Sequence, residues 1–427
     1  MAAIAGKESF FGWRVVAAAF VLATFGWGIG FYGPPIFLSV LSVTRGWPVA
    51  LVSGAVTAHF LLGAATGASL ASLHRRFGAA TVTKTGAVAL AAGIAGWAAA
   101  WAPWQLFGAA CLSGAGWGCM SAAALNALVS PWFVRARPAA LAMAYNGGSI
   151  GGVIFSPLWV VAIGLLGFPL AAAAIGLVMV LTIWVLADRL FSRTPQQMGL
   201  MPDGDAPGGP TVSVTSASAA PLPGSRLWRD RRFVTLAAGM ALTLFAQIGL
   251  TAHLYSLLVP ALGAQPAGLA MGLVTVLAIA GRTLLGWVMP LGADRRLVAS
   301  ASCAAQLAGS VVFIAAAGSS VPLLLLGVVL FGVGFGNATS LPPLIAQVEF
   351  VPQDVPRTVG LIVAISQAGY AFAPVAFGLI REFAPHAGSA AGAAPALFAA
   401  AALVQGLAIG AFLAGRRGKG ASERGRP

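Results

Sequence analysis

The sequence predicts an all-α membrane protein of twelve transmembrane helices in two six-helix halves, with the N- and C-termini cytoplasmic. Three observations predict it. The 427 residues are 59% hydrophobic and only 8% charged, with a mean hydropathy of +0.90, whereas an average soluble domain carries about 25% charged residues. So few charges cannot clothe a soluble core of this length. Apolar runs of about 20 residues, enough to cross a bilayer at a rise of about 1.5 Å per residue, recur along the whole chain. Lys and Arg fall mostly in every second gap between those runs, all on one side, as the excess of positive charge in short cytoplasmic loops requires.

The first run, residues 13–41, is too long for a signal-peptide core and carries no cleavage site, so it stays on the protein. Residues 49–73, 81–101, 104–129, 139–165 and 170–186 complete six spans. Residues 233–262, 267–289, 297–317, 321–346, 358–380 and 394–413 make six more. Pro34-Pro35, Pro157, Pro342-Pro343 and Pro374 lie inside spans, where neighbouring helices and cavity water take up the freed carbonyls. With the N-terminus inside, 21 of the 24 Lys and Arg residues, from Lys7 to Arg426, sit at or near the cytoplasmic side. Arg45 and Arg381 fall outside, and Arg282 alone lies deep in a span.

Residues 192–232 are rich in Pro, Gly, Ser and Ala and end in a basic cluster, the composition of a flexible cytoplasmic linker. The chain therefore divides into a first half (1–191), the linker (192–232), a second half (233–415) and a basic tail (416–427). "GIGFYGPPIF" in the first span and "GFGNATSLPPLI" in the tenth share a Gly-rich run followed by Pro-Pro, and "LHRRFGA" has a counterpart in "ADRRLVA". Such internal repetition marks transporters whose site lies between the repeats.

The net charge of +14 is scattered rather than gathered in one basic domain, which argues for topology signals and against nucleic acid. Cys111, Cys119 and Cys303 sit in apolar runs without ligand spacing and read as small apolar fillers. The run "NGGSIGG" (146–152) lacks the strand, turn and Lys of a phosphate loop; small residues that let helices approach explain it. No catalytic constellation, metal motif, cofactor motif or nucleotide site emerges, and the expected partners are the lipid bilayer, a small solute and protons. The Ala- and Gly-rich composition with short loops points to a bacterial inner membrane.

Arg282 lies twelve residues, about 18 Å of helix, before Asp294, further than its side chain can snorkel. A charge at that depth costs at least about 2.5–3.5 kcal/mol, and an ionisable group inside a span is a functional-site hypothesis. Its planar fork suits a substrate carboxylate; the other reading is a structural Arg satisfied by carbonyls and hydroxyls. His59 and His253 lie within apolar runs and are candidate proton carriers, although neutral His residues bonded between helices fit the same pattern. Tyr32, Asn126, Tyr145, Asn146, Tyr255, Asn337, Gln367 and Tyr370 are further polar candidates for orienting a small substrate, or else for helix-to-helix bonds.

The loop "ASLHRRFGA" (71–79) resembles the signature between spans 2 and 3 of the major facilitator superfamily, and the likeness extends over essentially the whole chain. Leu73, Arg76 and Gly78 fit that signature, while Ala71 and Arg75 replace its usual Gly and Asp; Asp294, followed by Arg295, is the better-preserved copy. The resemblance implies gating roles for Arg76, Gly78, Asp294 and Arg295. Within the superfamily, "SPWFVRARPAALAMAYNGGSIGGVIFSPL" (130–158), "TPQQMGLMPDG" (194–204), "IGLTAHLYSLLVPALG" (248–263) and "GRTLLGW" (281–287) resemble the monocarboxylate transporter and oxalate/formate exchanger branch. That branch implies an anion-binding role for Arg282. Two departures matter: Ala278 stands where animal monocarboxylate carriers have an Asp, and no Lys lies in the eleventh span as in the oxalate exchanger. One deep cation suits a monoanion better than a dianion.

The expected function is thus secondary active transport of a small organic anion, most simply a monocarboxylate, by alternating access, through proton symport or anion exchange. The runner-up is an exporter or exchanger of another small solute with Arg282 structural. A membrane enzyme built on His59 and His253 lacks a paired carboxylate or nucleophile, and a receptor lacks a folded signalling domain.

Overall fold

The computed structural model describes residues 10–205, 224–290, 293–351, 353–384 and 392–416. Lys7, the middle of the linker and the tail cations Arg417, Lys419, Arg424 and Arg426 lie outside the described residues. Every regular element described is helical: α1 (Phe11–Gly30), α2 (Gly33–Arg45), α3 (Val49–Phe77), α4 (Ala79–Ala99), α5 (Pro103–Gly118), α6 (Ala122–Val129) and α7 (Arg137–Leu186), then the short α8 (Gly224–Leu227). α9 (Arg231–Leu262), α10 (Ala264–Val288), α11 (Arg295–Ala316), α12 (Val321–Phe335), α13 (Asn337–Glu349), α14 (Val355–Tyr370), α15 (Ala373–Phe383) and α16 (Pro395–Ala414) follow. Eleven helical stretches among the described residues are long and apolar enough to cross a membrane. Helices meet the bilayer's demand that each segment satisfy its own backbone groups.

Residues 13–41, read as one span, are two helices that break at Phe31–Tyr32. Pro34 has no N–H to give the Gly30 carbonyl four residues back, and His59 Nε2–H takes that carbonyl instead, at 2.8 Å. The stretches 139–165 and 170–186 fall within one 50-residue helical run, interrupted at Gly167 with φ 76° and ψ 159°. That backbone favours glycine, so the run is two arms meeting at one residue.

Two compact units emerge, residues 1–40 with 58–214, and 41–57 with 215–427. In the first, α1 lies against α7, and α4 against α5 and α7. A Cβ at Gly147 would stand 2.0 Å from the Phe20 carbonyl oxygen, and one at Gly151 2.5 Å from that of Thr24. The "NGGSIGG" run is therefore where α7 meets the backbone of α1, a helix contact and not a ligand loop.

In the second unit α9 packs against α14, α15 and α16, while α12 packs against both α10 and α11. Leu236, Met240, Leu341, Ile345 and Ile362 are core members of its apolar cluster. The α10–α12 approach is as close as that of α1 and α7: a Cβ on Gly281 would lie 2.2 Å from the Val333 oxygen, and one on Gly336 2.2 Å from that of Ala278. Segment 41–57 joins this unit through specific bonds. The Val49 N–H donates to the Glu382 carboxylate at 2.9 Å, and the Val375 N–H to the Thr57 hydroxyl at 3.2 Å.

Candidate functional site

Arg282 sits immediately after Gly281, where a Cβ would meet the Val333 carbonyl of α12. The exposed apolar residues of α10, Leu269, Leu273, Val276, Leu284 and Trp287, form one stripe. At about 100° per residue Arg282 is on the opposite side from Leu273. It shares the buried side with Thr275 and Ala278, and is itself half-buried. Leu285, three residues on, packs against the apolar cluster of the unit, as does Tyr370. Tyr370 and the half-buried Gln367 end α14, and Tyr255 is buried in α9.

His253, also in α9, is fully buried. Its Nε2–H donates to the Pro374 carbonyl at 3.1 Å, which fixes the tautomer because a carbonyl only accepts. Its Nδ1 has no hydrogen-bond partner. Close by, Ser256 donates to the His253 carbonyl and accepts from the Arg381 guanidinium. Asn337 begins α13 where α12 breaks, is 5% exposed, and donates to the Val333 carbonyl.

In the first unit the candidates are occupied with one another. Asn126 donates to the Tyr145 hydroxyl at 2.6 Å, and that hydroxyl donates to the Ala122 carbonyl at 3.2 Å, so this pair joins α6 to α7. Tyr32 is buried beside the break between α1 and α2, edge-on to Phe31, and Asn146 is exposed. His59 is satisfied at both ring nitrogens. Nε2–H meets Gly30, Nδ1 lies 2.9 Å from the Ser113 hydroxyl, and Trp97 Nε1–H donates to that same hydroxyl. The single Ser113 hydroxyl hydrogen is within reach of both Nδ1 and the Ala110 carbonyl at 3.0 Å.

The two loops expected to gate differ. Arg76 and Gly78 are exposed, with the Arg76 guanidinium 5.1 Å from the Phe77 ring. In the second unit Asp294 caps α11, accepting from the Arg296 and Leu297 N–H groups, and pairs with Arg416 at 2.6 Å. Burial pushes the Asp294 carboxyl up, but the Arg416 contact and the cap bonds outweigh it and hold it below the usual carboxylate range. Arg295 donates to the Leu344 carbonyl. The most committed residue here is one that sequence reasoning did not single out. Arg296, 2% exposed, grips both oxygens of Glu349 at 2.6 and 2.8 Å and also donates to the Arg232 carbonyl at 2.7 Å.

The motif 194–204 also finds its purpose. Asp203 accepts from the backbone N–H groups of Val134, Arg135 and Ala136 at 2.8–3.1 Å, at the head of α7, and Arg135 pairs with Asp205. Burial pushes the Asp203 carboxyl up, but those N–H bonds and the Arg135 charge outweigh it and hold it below the usual range. With the folded value depressed, its stabilisation is complete above about pH 4 and is lost as pH falls through the lowered value. Asp203→Ala is expected to cost about 0.5–2 kcal/mol at neutral pH, the range of a lost helix cap, with the difference from wild type shrinking below about pH 4. Thermal unfolding in detergent at pH 7 and pH 3.5 checks this, and an equal deficit at both would rule it out.

Among the described residues no group of three His, Cys, Asp or Glu could hold a metal ion. The profile of the Major Facilitator Superfamily matches residues 15–374. No curated protein matches the chain. Solved structures do: the nucleoside transporter NupG superposes with a TM-score of 0.70 at 14% identity, over 96% of this chain and 100% of that one. A bacterial homolog of the human lysosomal transporter Spinster, inward-facing and occupied, superposes at 0.65 with 16% identity, over 96% and 95%. Identities this low carry the fold alone. The family match spans most of the chain and the helical fold agrees with it: the protein belongs to the major facilitator superfamily, secondary carriers that move small solutes across a membrane by alternating access.

Proposed function

We propose that this carrier moves a small organic anion, a monocarboxylate, with Arg282 as the group that binds its carboxylate, by proton symport or anion exchange. The observation that supports this reading is the position of Arg282: a half-buried guanidinium on the side of α10 away from its exposed apolar stripe. A charge is costly at such depth unless function retains it, and a guanidinium fork pairs with a carboxylate through two parallel bonds. Tyr32, Asn126, Tyr145, Asn146, Tyr255, Asn337, Gln367 and Tyr370 are proposed as the polar residues around the path.

Of the two histidines His253 is the better proton carrier, because its Nδ1 is open while both nitrogens of His59 are engaged. The proposed topology counts the run on each side of Gly167 as a separate span, since 55 residues of helix extend about 82 Å at 1.5 Å per residue, far beyond one bilayer. It then has twelve spans, halves at 1–191 and 233–415, a linker at 192–232, a tail at 416–427 and cytoplasmic termini, in a bacterial inner membrane. Arg76, Gly78, Asp294 and Arg295 are proposed at the gating loops.

Uptake into proteoliposomes of labelled lactate, pyruvate, formate, acetate, oxalate and small aromatic acids, with a nucleoside alongside, tests the substrate class. Saturable uptake of a monoanion that responds to an imposed pH gradient is expected for symport, and counterflow without that response for exchange. Uptake of the nucleoside with none of the acids would overturn the anion reading.

A further inference from the structure

The start of α3 and the length of α15 meet in a contact that anion binding leaves unexplained. The Val49 N–H, first in α3, donates to the Glu382 carboxylate at 2.9 Å, and the Val375 N–H, in the first turn of α15, donates to the Thr57 hydroxyl at 3.2 Å. Between these two bonds the helices approach closely: a Cβ on Gly378 would stand 2.5 Å from the Ser53 hydroxyl and 3.4 Å from the Ala50 Cα. Val49, Ser53 and Thr57 are spaced by four, and Val375, Gly378 and Glu382 by three and four, so each set occupies one helix face. The pairing runs 49 to 382, 53 to 378 and 57 to 375, which makes the helices antiparallel.

The two bonds are reciprocal caps. The first N–H groups of a helix have no partner within it, and here each helix supplies the acceptor for the other: Glu382 for α3, Thr57 for α15. A carboxylate at a helix start also meets the positive end of the helix dipole. α15 is itself fixed to α9 near both ends, by His253 Nε2–H on the Pro374 carbonyl and by Arg381 on the Ser256 hydroxyl. Ser53 and Thr57 belong to the first spans in chain order, yet residues 41–57 cluster with the second half of the chain.

We propose that Thr57 and Glu382 form the latch of the outer gate, two reciprocal caps that hold the outer face closed and open it by parting. Alternating access requires contacts that break and re-form in each cycle as one repeat rocks against the other. Ala50, Ser53, Thr57 and Gly378 are too small to interlock, and water takes up the N–H groups freed on parting at small net cost. Arg45, which ends α2 four residues before Val49, and Arg381, next to Glu382, are the cations that the charge pattern puts outside. The side rests on the proposed topology; the latch itself is independent of what Arg282 binds.

The test places a reporter in the contact of the full-length carrier, in right-side-out membrane vesicles with no organic solute present. Ser53, 0% exposed, is changed to cysteine, and its reaction with a membrane-impermeant maleimide added outside is followed by mass spectrometry. Slow labelling is expected for Ser53→Cys alone. Adding Thr57→Val or Glu382→Ala should speed it by about 2- to 30-fold, the equilibrium shift of a lost helix cap. Thr57→Ser and Glu382→Gln keep an acceptor oxygen and should leave the rate near that of Ser53→Cys alone. Cys119 and Cys303, both buried, should stay unlabelled throughout, which shows that the variants are folded. Unchanged labelling in both Thr57→Val and Glu382→Ala would overturn the proposal, as would fast labelling of Ser53→Cys alone. A gain confined to inverted vesicles would overturn the outer assignment together with the topology. Should Ser53→Cys fail to fold, Ala50→Cys reports on the same contact. The expected gain in a carrier that takes up no monoanion would count against the anion reading and leave the latch standing.

Discussion

Arg282→Ala is expected to lower monoanion uptake by about 10^2- to 10^4-fold while the variant stays folded. Hydrogen bonds to charged groups are worth about 1.5–3 kcal/mol each, and a bidentate guanidinium–carboxylate pair makes two. At about 1.4 kcal/mol per factor of ten, their loss accounts for that decrease. Arg282→Lys keeps the charge but not the fork, so it should retain a weakened and less selective uptake, reduced by at least about tenfold. Initial rates in proteoliposomes, compared with thermal unfolding of the same preparations, separate binding from folding. Undiminished transport in both variants would make Arg282 structural and remove the main physical support for a monocarboxylate substrate.

Glu349→Gln is expected to destabilise the second unit by about 3–5 kcal/mol, the cost of leaving a buried charge without its partner. Among the described residues the Arg296 guanidinium meets no second carboxylate: its other partners are the Thr235 hydroxyl and the Arg232 and Phe412 carbonyls, which satisfy hydrogens without balancing charge. The pair ties α11 to the end of α13, and the carbonyls add α9 and α16. A side chain on Gly415 would collide with the Arg296 guanidinium, its Cβ only 1.9 Å from Nη1. Replacing both members, Arg296→Met with Glu349→Leu, should cost far less than either change alone, because a buried ion pair gains little over packed hydrocarbon. A double-mutant cycle read by thermal unfolding measures this directly. Additive single and double effects would mean that the two residues act independently.

Much of the architecture was legible from local rules. A bilayer requires about 20 apolar residues per crossing and internal satisfaction of every backbone group, so hydropathy found the apolar helical stretches but not their breaks: the runs 13–41, 104–129, 321–346 and 358–380 are each two helices. The close contact at "NGGSIGG" could also be read, because a small-residue run is contiguous. Breaks were less legible. The paired prolines marked the first span, yet where the chain opened, and that His59 would take the freed Gly30 carbonyl, depended on a helix 29 residues away.

The sequence by itself determined an all-helical membrane-spanning chain with Arg282 inside one of its apolar runs, since composition and run length are properties of the chain and the solvent it must enter. Only the tertiary structure decided which polar groups are spent and which are available. It joined Arg296 to Glu349 across 53 positions, set Asp203 on the head of α7, closed both nitrogens of His59 while leaving one of His253 open, and brought Glu382 to the start of α3 and Thr57 to the start of α15. Hydropathy records which side chains avoid water. Which donor meets which acceptor is decided where distant helices touch, and no local periodicity carries that information.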